Sequence, residues 1–74
     1  MNGVGGGVIK KMHRGLGIGT IQPDGGGPEV VFGESAVKGG ANGFDNLTEG
    51  GRVKYRPYPE TIGNSSFAED VWPD

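Results

Sequence analysis

The sequence contains no cysteine and only one histidine, His13, among its 74 residues. The absence of cysteine excludes disulfide bonds and thiolate metal sites. One imidazole without clustered carboxylates gives no basis for a metal site built by the protein, and no cofactor is predicted. His13 also lacks a nearby nucleophile or orienting carboxylate, which a catalytic base requires. We therefore predict a non-enzymatic protein that binds no metal.

Long apolar runs and an excess of positive charge are also missing. No stretch is apolar enough to cross a membrane and no secretory leader is recognisable, so we expect no membrane partner and a cytoplasmic location. The formal net charge is −2, which argues against a protein held to nucleic acid mainly by bulk charge. Positive charge is nevertheless concentrated locally, at Lys10, Lys11 and Arg14, and again at Arg52, Lys54 and Arg56.

Glycine is the residue that the sequence has in excess, with 17 copies. The glycines follow no three-residue period, and they interrupt every candidate helix. They separate short clusters of β-branched residues, where glycine marks bulges and tight bends. This pattern predicts one all-β domain over residues 7–74, preceded by a flexible N-terminus over residues 1–6.

Five short segments have the composition of β-strands. One helical turn is predicted at residues 34–37 and a loop at 38–46. A chain this small is stabilised best when its strands close on themselves, because closure leaves no unpaired edge. We therefore predict a small five-stranded antiparallel β-barrel, with strands at 8–12, 17–21, 30–32, 52–56 and 67–72.

Several motifs resemble the cold-shock domain family. The segments GVIKKM (7–12), GIGTI (17–21), PD (23–24) and VVFGESA (30–36) follow the first half of that family without a gap. GFDNLTEG (43–50) and AEDV (68–71) are similar to its second half. The resemblance implies an OB-type barrel that binds single-stranded RNA or DNA. It also implies a core formed by Ile9, Ile21, Val30, Phe32, Val37, Leu47, Val53 and Tyr55.

The binding face of the family is poorly matched, because its stacking aromatics are replaced. Each base stacked on an aromatic ring contributes about 1–3 kcal/mol, so the resemblance implies weak or atypical binding dominated by phosphate attraction. Glu34 adds a negative charge where the phosphates of a bound strand would pass. The predicted nucleic-acid-binding residues are Lys10, Lys11, Met12, His13, Arg14, Ile18, Thr20 and Val31.

The sequence is compatible with other interpretations. A protein-interaction module that kept the barrel but lost nucleic-acid binding is the second hypothesis, and a scaffold without an evolved ligand is the third. A one-residue slip of the third strand would exchange the faces of Val31 and Phe32. Tyr58 is either an exposed platform or a cover for one end of the barrel, and Trp72 is expected to plug the edge of the core.

Overall fold

The computed structural model describes residues 3–59, 63 and 65–74 of the chain. A short helix, α1 (Gly40–Asp45), and two 3-10 turns, Arg14–Leu16 and Glu34–Ala36, connect the strands. The second turn confirms the predicted helical turn, whereas α1 lies where a loop was predicted. The five strands are β1 (Gly5–His13), β2 (Ile18–Pro23), β3 (Val30–Gly33), β4 (Arg52–Pro57) and β5 (Ser66–Pro73).

The strands form a closed barrel in the order β1-β2-β3-β5-β4, with β4 pairing back to β1. This confirms the predicted five-stranded barrel of the OB type. One feature differs, because β3 and β5 are parallel and the barrel is therefore mixed rather than fully antiparallel. Parallel neighbours need a long crossover connection, and the second 3-10 turn, α1 and β4 provide it here.

The inner face of the barrel forms one apolar cluster. The eight core positions predicted from the sequence are all buried, and Phe44, Ala68 and Val71 join them. Phe32 is 1% exposed and pairs with Gly19, so β3 has the register that keeps Phe32 inside and Val31 outside. The ring of Phe44 on α1 meets that of Phe32 edge to face, with centroids 6.1 Å apart. The short helix thus caps the core.

Two glycines of β2 and its preceding turn are required by local geometry. A Cβ on Gly19 would lie 2.4 Å from Cζ of Phe32, so any side chain there would displace the core aromatic. Gly17 ends the first 3-10 turn with a φ of 67°, a left-handed conformation that glycine adopts without steric cost. Gly17 and Gly19 are therefore needed for the turn that precedes β2 and for the packing of β2 on Phe32.

A β-bulge in β1 changes which residues face the core. Ile9 pairs with Ile21 and Lys11 with Thr20, which leaves Lys10 as the extra residue. Lys10 and Lys11 are both exposed, and the alternation resumes with Met12 packed against the core cluster. The bulge explains why apolar and polar residues alternate irregularly in the sequence of β1.

The barrel begins earlier than the predicted domain boundary at residue 7. Gly5 pairs with Tyr55 and Gly6 with Lys54, so both glycines belong to the seam between β1 and β4. Gly3 and Val4 precede the strand without regular structure. The first two residues of the predicted flexible N-terminus, 1–2, lie outside the described residues. The barrel thus uses part of the segment that was predicted to be flexible.

Candidate functional site

Five of the predicted binding residues share the outer face of β1, β2 and β3. Lys11, Thr20 and Val31 form one cross-strand row, since Lys11 pairs with Thr20 and Thr20 with Val31. His13 and Ile18 form a second row beside it. These side chains alternate with the buried positions of the same strands. The structure therefore brings Lys11, His13, Ile18, Thr20 and Val31 onto one surface.

Met12 does not belong to that surface. Its side chain packs against the core cluster as a consequence of the bulge at Lys10. Its backbone N–H donates a hydrogen bond to Oε2 of Glu49 at 3.0 Å. The prediction of an outward base contact at Met12 is therefore wrong.

Two of the predicted cations are engaged within the protein. Lys10 Nζ lies 2.7 Å from Oε2 of Glu29. Arg14 donates from Nη1 to the carbonyl oxygens of Phe44 and Asp45 at 3.4 and 3.3 Å, and from Nη2 to the carbonyl oxygen of Leu47. The acceptors belong to the last two residues of α1 and to Leu47 just beyond its end, and the carbonyl of Phe44 also accepts from the N–H of Leu47. Arg14 is therefore a clamp on the helix rather than a free phosphate contact.

The cations of β4 are also paired with carboxylates. Arg52 binds Asp24 with Nη2 and Oδ2 2.6 Å apart and reaches Asp74 at 3.5 Å, and Lys54 Nζ lies 4.0 Å from Asp74. Hydrogen bonding by Arg52 holds the pKa of Asp24 below its ordinary value, and Asp24 in turn raises the pKa of Arg52. The strip of alternating cations that the sequence suggests is therefore largely neutralised on the folded surface.

An outward aromatic that the sequence reasoning missed lies beside the predicted face. Phe67 of β5 pairs with Val31 in the parallel ladder, and its neighbour Ala68 faces the core. The hydroxyl oxygen of Thr20, on the same row, is buried and has no hydrogen-bond partner among the described residues. The sequence signal for an outward Phe67 was its position next to the small residue Ala68, which faces the core. Tyr58, left open by the sequence, is 50% exposed.

A cleft of about 440 Å³ opens on a different side of the barrel, between the second 3-10 turn and strands β4 and β5. Its volume falls within the range of small-molecule sites, roughly 300–1,000 Å³. Trp72, Lys38, Arg56, Asp70 and Ser35 supply the polar and aromatic groups of its wall. Val37 forms an isolated bridge to Val71, and the N–H of Lys38 donates to the carbonyl of Val71 at 2.9 Å, which anchors the turn against β5.

Trp72 is half-buried on the outside of the barrel, opposite Lys54 of β4. It is not among the apolar side chains packed on the core cluster, so it does not plug the core edge as the sequence led us to expect. Trp72, Lys38 and Arg56 line the same cleft, which therefore has an apolar plane together with cationic hydrogen-bond donors. The cleft can therefore receive a flat group and a negative group at the same time.

Metal donors are sparse in the described part of the chain. Among residues 3–59, 63 and 65–74, no three side chains of His, Cys, Asp or Glu approach one point. The thioether of Met12 and the imidazole of His13 are consecutive at the end of β1 but leave the strand on opposite sides. No helix in the described ranges is long and apolar enough to span a membrane.

Solved structures of CusF share this fold. The structure of Ag(I)CusF matches with a TM-score of 0.63 and 16% identity, over 100% of this chain and 99% of that chain. The Cu(II) structure of a tryptophan-to-alanine variant of CusF from Escherichia coli matches with a TM-score of 0.60 and 19% identity, over 96% of this chain and 89% of that chain. No protein-family model and no curated protein matches. The resemblance to the cold-shock family therefore stays a prediction.

These findings correct the predicted function and partners. The prediction of a single-stranded nucleic-acid binder rested on the barrel and on the basic first strand. The barrel is shared with a protein whose solved structures hold Ag(I) and Cu(II), and Lys10 and Arg14 are occupied within the fold. The nucleic-acid prediction is therefore wrong, and so is the exclusion of metals as partners of such a barrel. The protein-interaction alternative has no support in these findings.

Proposed function

We propose that this chain is a non-enzymatic binding barrel that takes a small, flat anion in the cleft beside Trp72. The observation that carries the proposal is that the half-buried Trp72, Lys38 and Arg56 line one open cleft of about 440 Å³. The indole offers an apolar face, and the two cations supply charge-assisted hydrogen bonds to a carboxylate or a similar group.

A planar carboxylate such as 2-naphthoate is a suitable probe. Its affinity is bounded by its size, because about 0.3 kcal/mol per non-hydrogen atom gives roughly 4 kcal/mol for a probe of about 13 atoms. That free energy corresponds to a dissociation constant near 1 mM. Since Trp72 is the only tryptophan, its indole N–H gives a single NMR resonance that reports on the cleft.

The test is a titration of the full chain with 2-naphthoate and, in parallel, with the cationic 2-naphthylmethylammonium. We expect a saturating shift of the Trp72 indole resonance with the anion and a much smaller one with the cation. Lys38→Gln should weaken binding several-fold. Lys11→Gln, which removes the same charge from the other face, should leave binding unchanged. An equal response to both probes, or shifts that avoid the cleft, would overturn the proposal.

Capture of a soft metal ion is a second candidate, favoured by the Ag(I) and Cu(II) that the CusF structures hold. The chain offers a thioether and an imidazole at consecutive positions, Met12 and His13, and both donor types bind copper-like ions. Because the two side chains leave β1 on opposite sides, shared binding requires the flexible thioether to rotate outward.

The second candidate is tested by adding Ag(I) to protein labelled at the methionine methyl group. We expect the Met12 methyl resonance and the His13 ring resonances to shift together and to stop shifting at one equivalent. Met12→Leu, which keeps the apolar volume, should abolish the response of His13. A response of His13 that persists in this variant would rule out the paired site.

A further inference from the structure

The cleft contains its own carboxylate, and that carboxylate lies on the guanidinium that a bound anion would use. Asp70 of β5 stands directly opposite Arg56 of β4, with Nη1 of Arg56 3.4 Å from Oδ2 of Asp70. Both residues line the cleft. A ligand carboxylate that approaches Arg56 therefore meets a like charge at the same donor group.

A β-bulge puts Asp70 in this position. Arg56 pairs with Asp70 but Pro57 pairs with Ala68, so Glu69 is the extra residue of β5. In a regular strand, two residues after the buried Ala68 would again face the core. The bulge instead leaves Glu69 and Asp70 both exposed and returns Val71 to the interior, where it is 0% exposed. The contact with Arg56 therefore depends on the irregularity of β5.

The Arg56–Asp70 contact is loose in comparison with a similar pair elsewhere on the barrel. Arg52 holds Asp24 through two hydrogen bonds of 3.3 and 2.6 Å, whereas Arg56 makes a single hydrogen bond of 3.4 Å to Asp70. The side chains of Arg56 and Asp70 are 49% and 51% exposed. Exposed pairs of this kind are weak, so a ligand anion can replace Asp70 at small cost.

We infer that Asp70 is a built-in competitor for the anion site: it occupies Arg56 in the free protein and yields it to the ligand. This inference rests on the function proposed for the cleft. It assigns Arg56 as the residue that receives the negative group and Asp70 as the residue that sets the affinity. The consequence is that removing the charge of Asp70 strengthens binding, whereas removing an equally charged residue elsewhere does not.

The test measures the affinity of 2-naphthoate for the full chain and its variants by the Trp72 indole resonance. Asp70→Asn is expected to bind about two- to fivefold more tightly, the size of an exposed ion pair. Asp24→Asn is the matched control, because it removes the same charge from an ion pair outside the cleft, and its affinity should equal that of the unchanged protein. Arg56→Gln should bind more weakly, and in that background Asp70→Asn should bring no gain.

The possible failures are distinguishable. If the unchanged protein binds 2-naphthoate but Asp70→Asn does not bind more tightly, the competitor role is wrong and the proposed function stands. The competitor role is equally wrong if Asp24→Asn strengthens binding as much as Asp70→Asn, because the effect is then one of total charge. If neither the unchanged protein nor Asp70→Asn binds the probe, the proposed function fails and this inference fails with it.

Discussion

Arg14 is predicted from the sequence to contact phosphates, and in the structure it joins the end of β1 to the end of α1. Its guanidinium donates to the carbonyl oxygens of Phe44, Asp45 and Leu47. A cation at the C-terminal end of a helix also interacts favourably with the helix dipole. The positive charge of Arg14 is visible in the sequence but its acceptors are not, since the first of these lies 30 residues away in the chain.

Replacing Arg14 with alanine is expected to lower the free energy of unfolding by about 1–3 kcal/mol, because part-buried carbonyls lose a charged donor. Lys11→Ala removes an exposed cation from the adjacent strand and should change it by less than about 0.5 kcal/mol. Urea denaturation measures both. Equal effects of the two substitutions would mean that Arg14 does not clamp the helix.

Tyr55 is the buried ionisable residue whose titration bears on stability. Burial raises the pKa of its phenol above the ordinary value, with the nearby Asp24 contributing in the same direction. The folded protein therefore disfavours the phenolate. The stability linked to this group is complete below the unfolded pKa of about 10 and is lost as the pH rises through the folded pKa.

We expect Tyr55→Phe to make the protein less sensitive to alkali. The free energy of unfolding of the unchanged protein should fall more steeply than that of the variant once the pH exceeds about 10. Urea titrations at a series of pH values measure the difference; the series begins at about 8, below the ordinary tyrosine pKa, and continues above about 10. Parallel curves for the two proteins would show that the Tyr55 phenol does not couple to folding.

The bulges are the decisive features at the scale of the elements. The bulge at Lys10 in β1 and the one at Glu69 in β5 each leave two consecutive charged residues outside and then restore the inward alternation. The first removes Met12 from the predicted binding face. The second brings Asp70 to the cleft. A strict alternation of inward and outward residues therefore assigns the wrong face to the residues that follow each bulge.

The register of β1 after its bulge is tested by two substitutions, one that makes Met12 charged and one that makes Lys11 apolar. Met12→Lys places a charge against the core cluster and should lower the free energy of unfolding by about 1–3 kcal/mol. Lys11→Met places an apolar side chain on the outer face and should change it by less than about 0.5 kcal/mol. Thermal or urea unfolding compares them, and the reverse order would place Lys11 rather than Met12 inside.

Closure of the barrel is a property of the whole molecule. The seam between β1 and β4 includes Gly5 paired with Tyr55 and Gly6 with Lys54. A Cβ on Gly5 would lie 2.8 Å from Cζ of Tyr55, so the Tyr55 ring packs over Gly5 and leaves no room for a side chain there. Residues that look like a frayed glycine-rich end in the sequence thus complete the sheet.

Stepwise truncation tests this role. Deletion of residues 1–3 should leave the unfolding free energy unchanged, because β1 begins at Gly5. Deletion of residues 1–6 removes two paired positions and exposes the edge of β4, so it should cost on the order of 1–3 kcal/mol. Amide hydrogen exchange in β4 should rise with the longer deletion. An unchanged exchange rate would show that the pairs formed by Gly5 and Gly6 contribute nothing to closure.

The sequence by itself was sufficient for most of the inner face and for the helical turn at residues 34–37, but not for α1 or the two bulges. All eight predicted core residues are buried, and the register of β3 follows from keeping Phe32 inside. These features depend on alternation, β-branched residues and the backbone freedom of glycine, which act over a few residues. They could therefore be read from short segments, and the five-strand barrel could be assembled from them.

Tertiary structure alone decided the outer surface. The ion pairs Lys10–Glu29 and Arg52–Asp24 join residues 19 and 28 positions apart, and they exist because the folded barrel brings the connection between β2 and β3 close to β1 and β4. The cleft also depends on contacts between distant segments, since Trp72 and Arg56 come from β5 and β4 and Lys38 from the connection before α1. Positive charge and aromatic residues are visible in the sequence, but whether a carboxylate faces them is determined by contacts between distant segments.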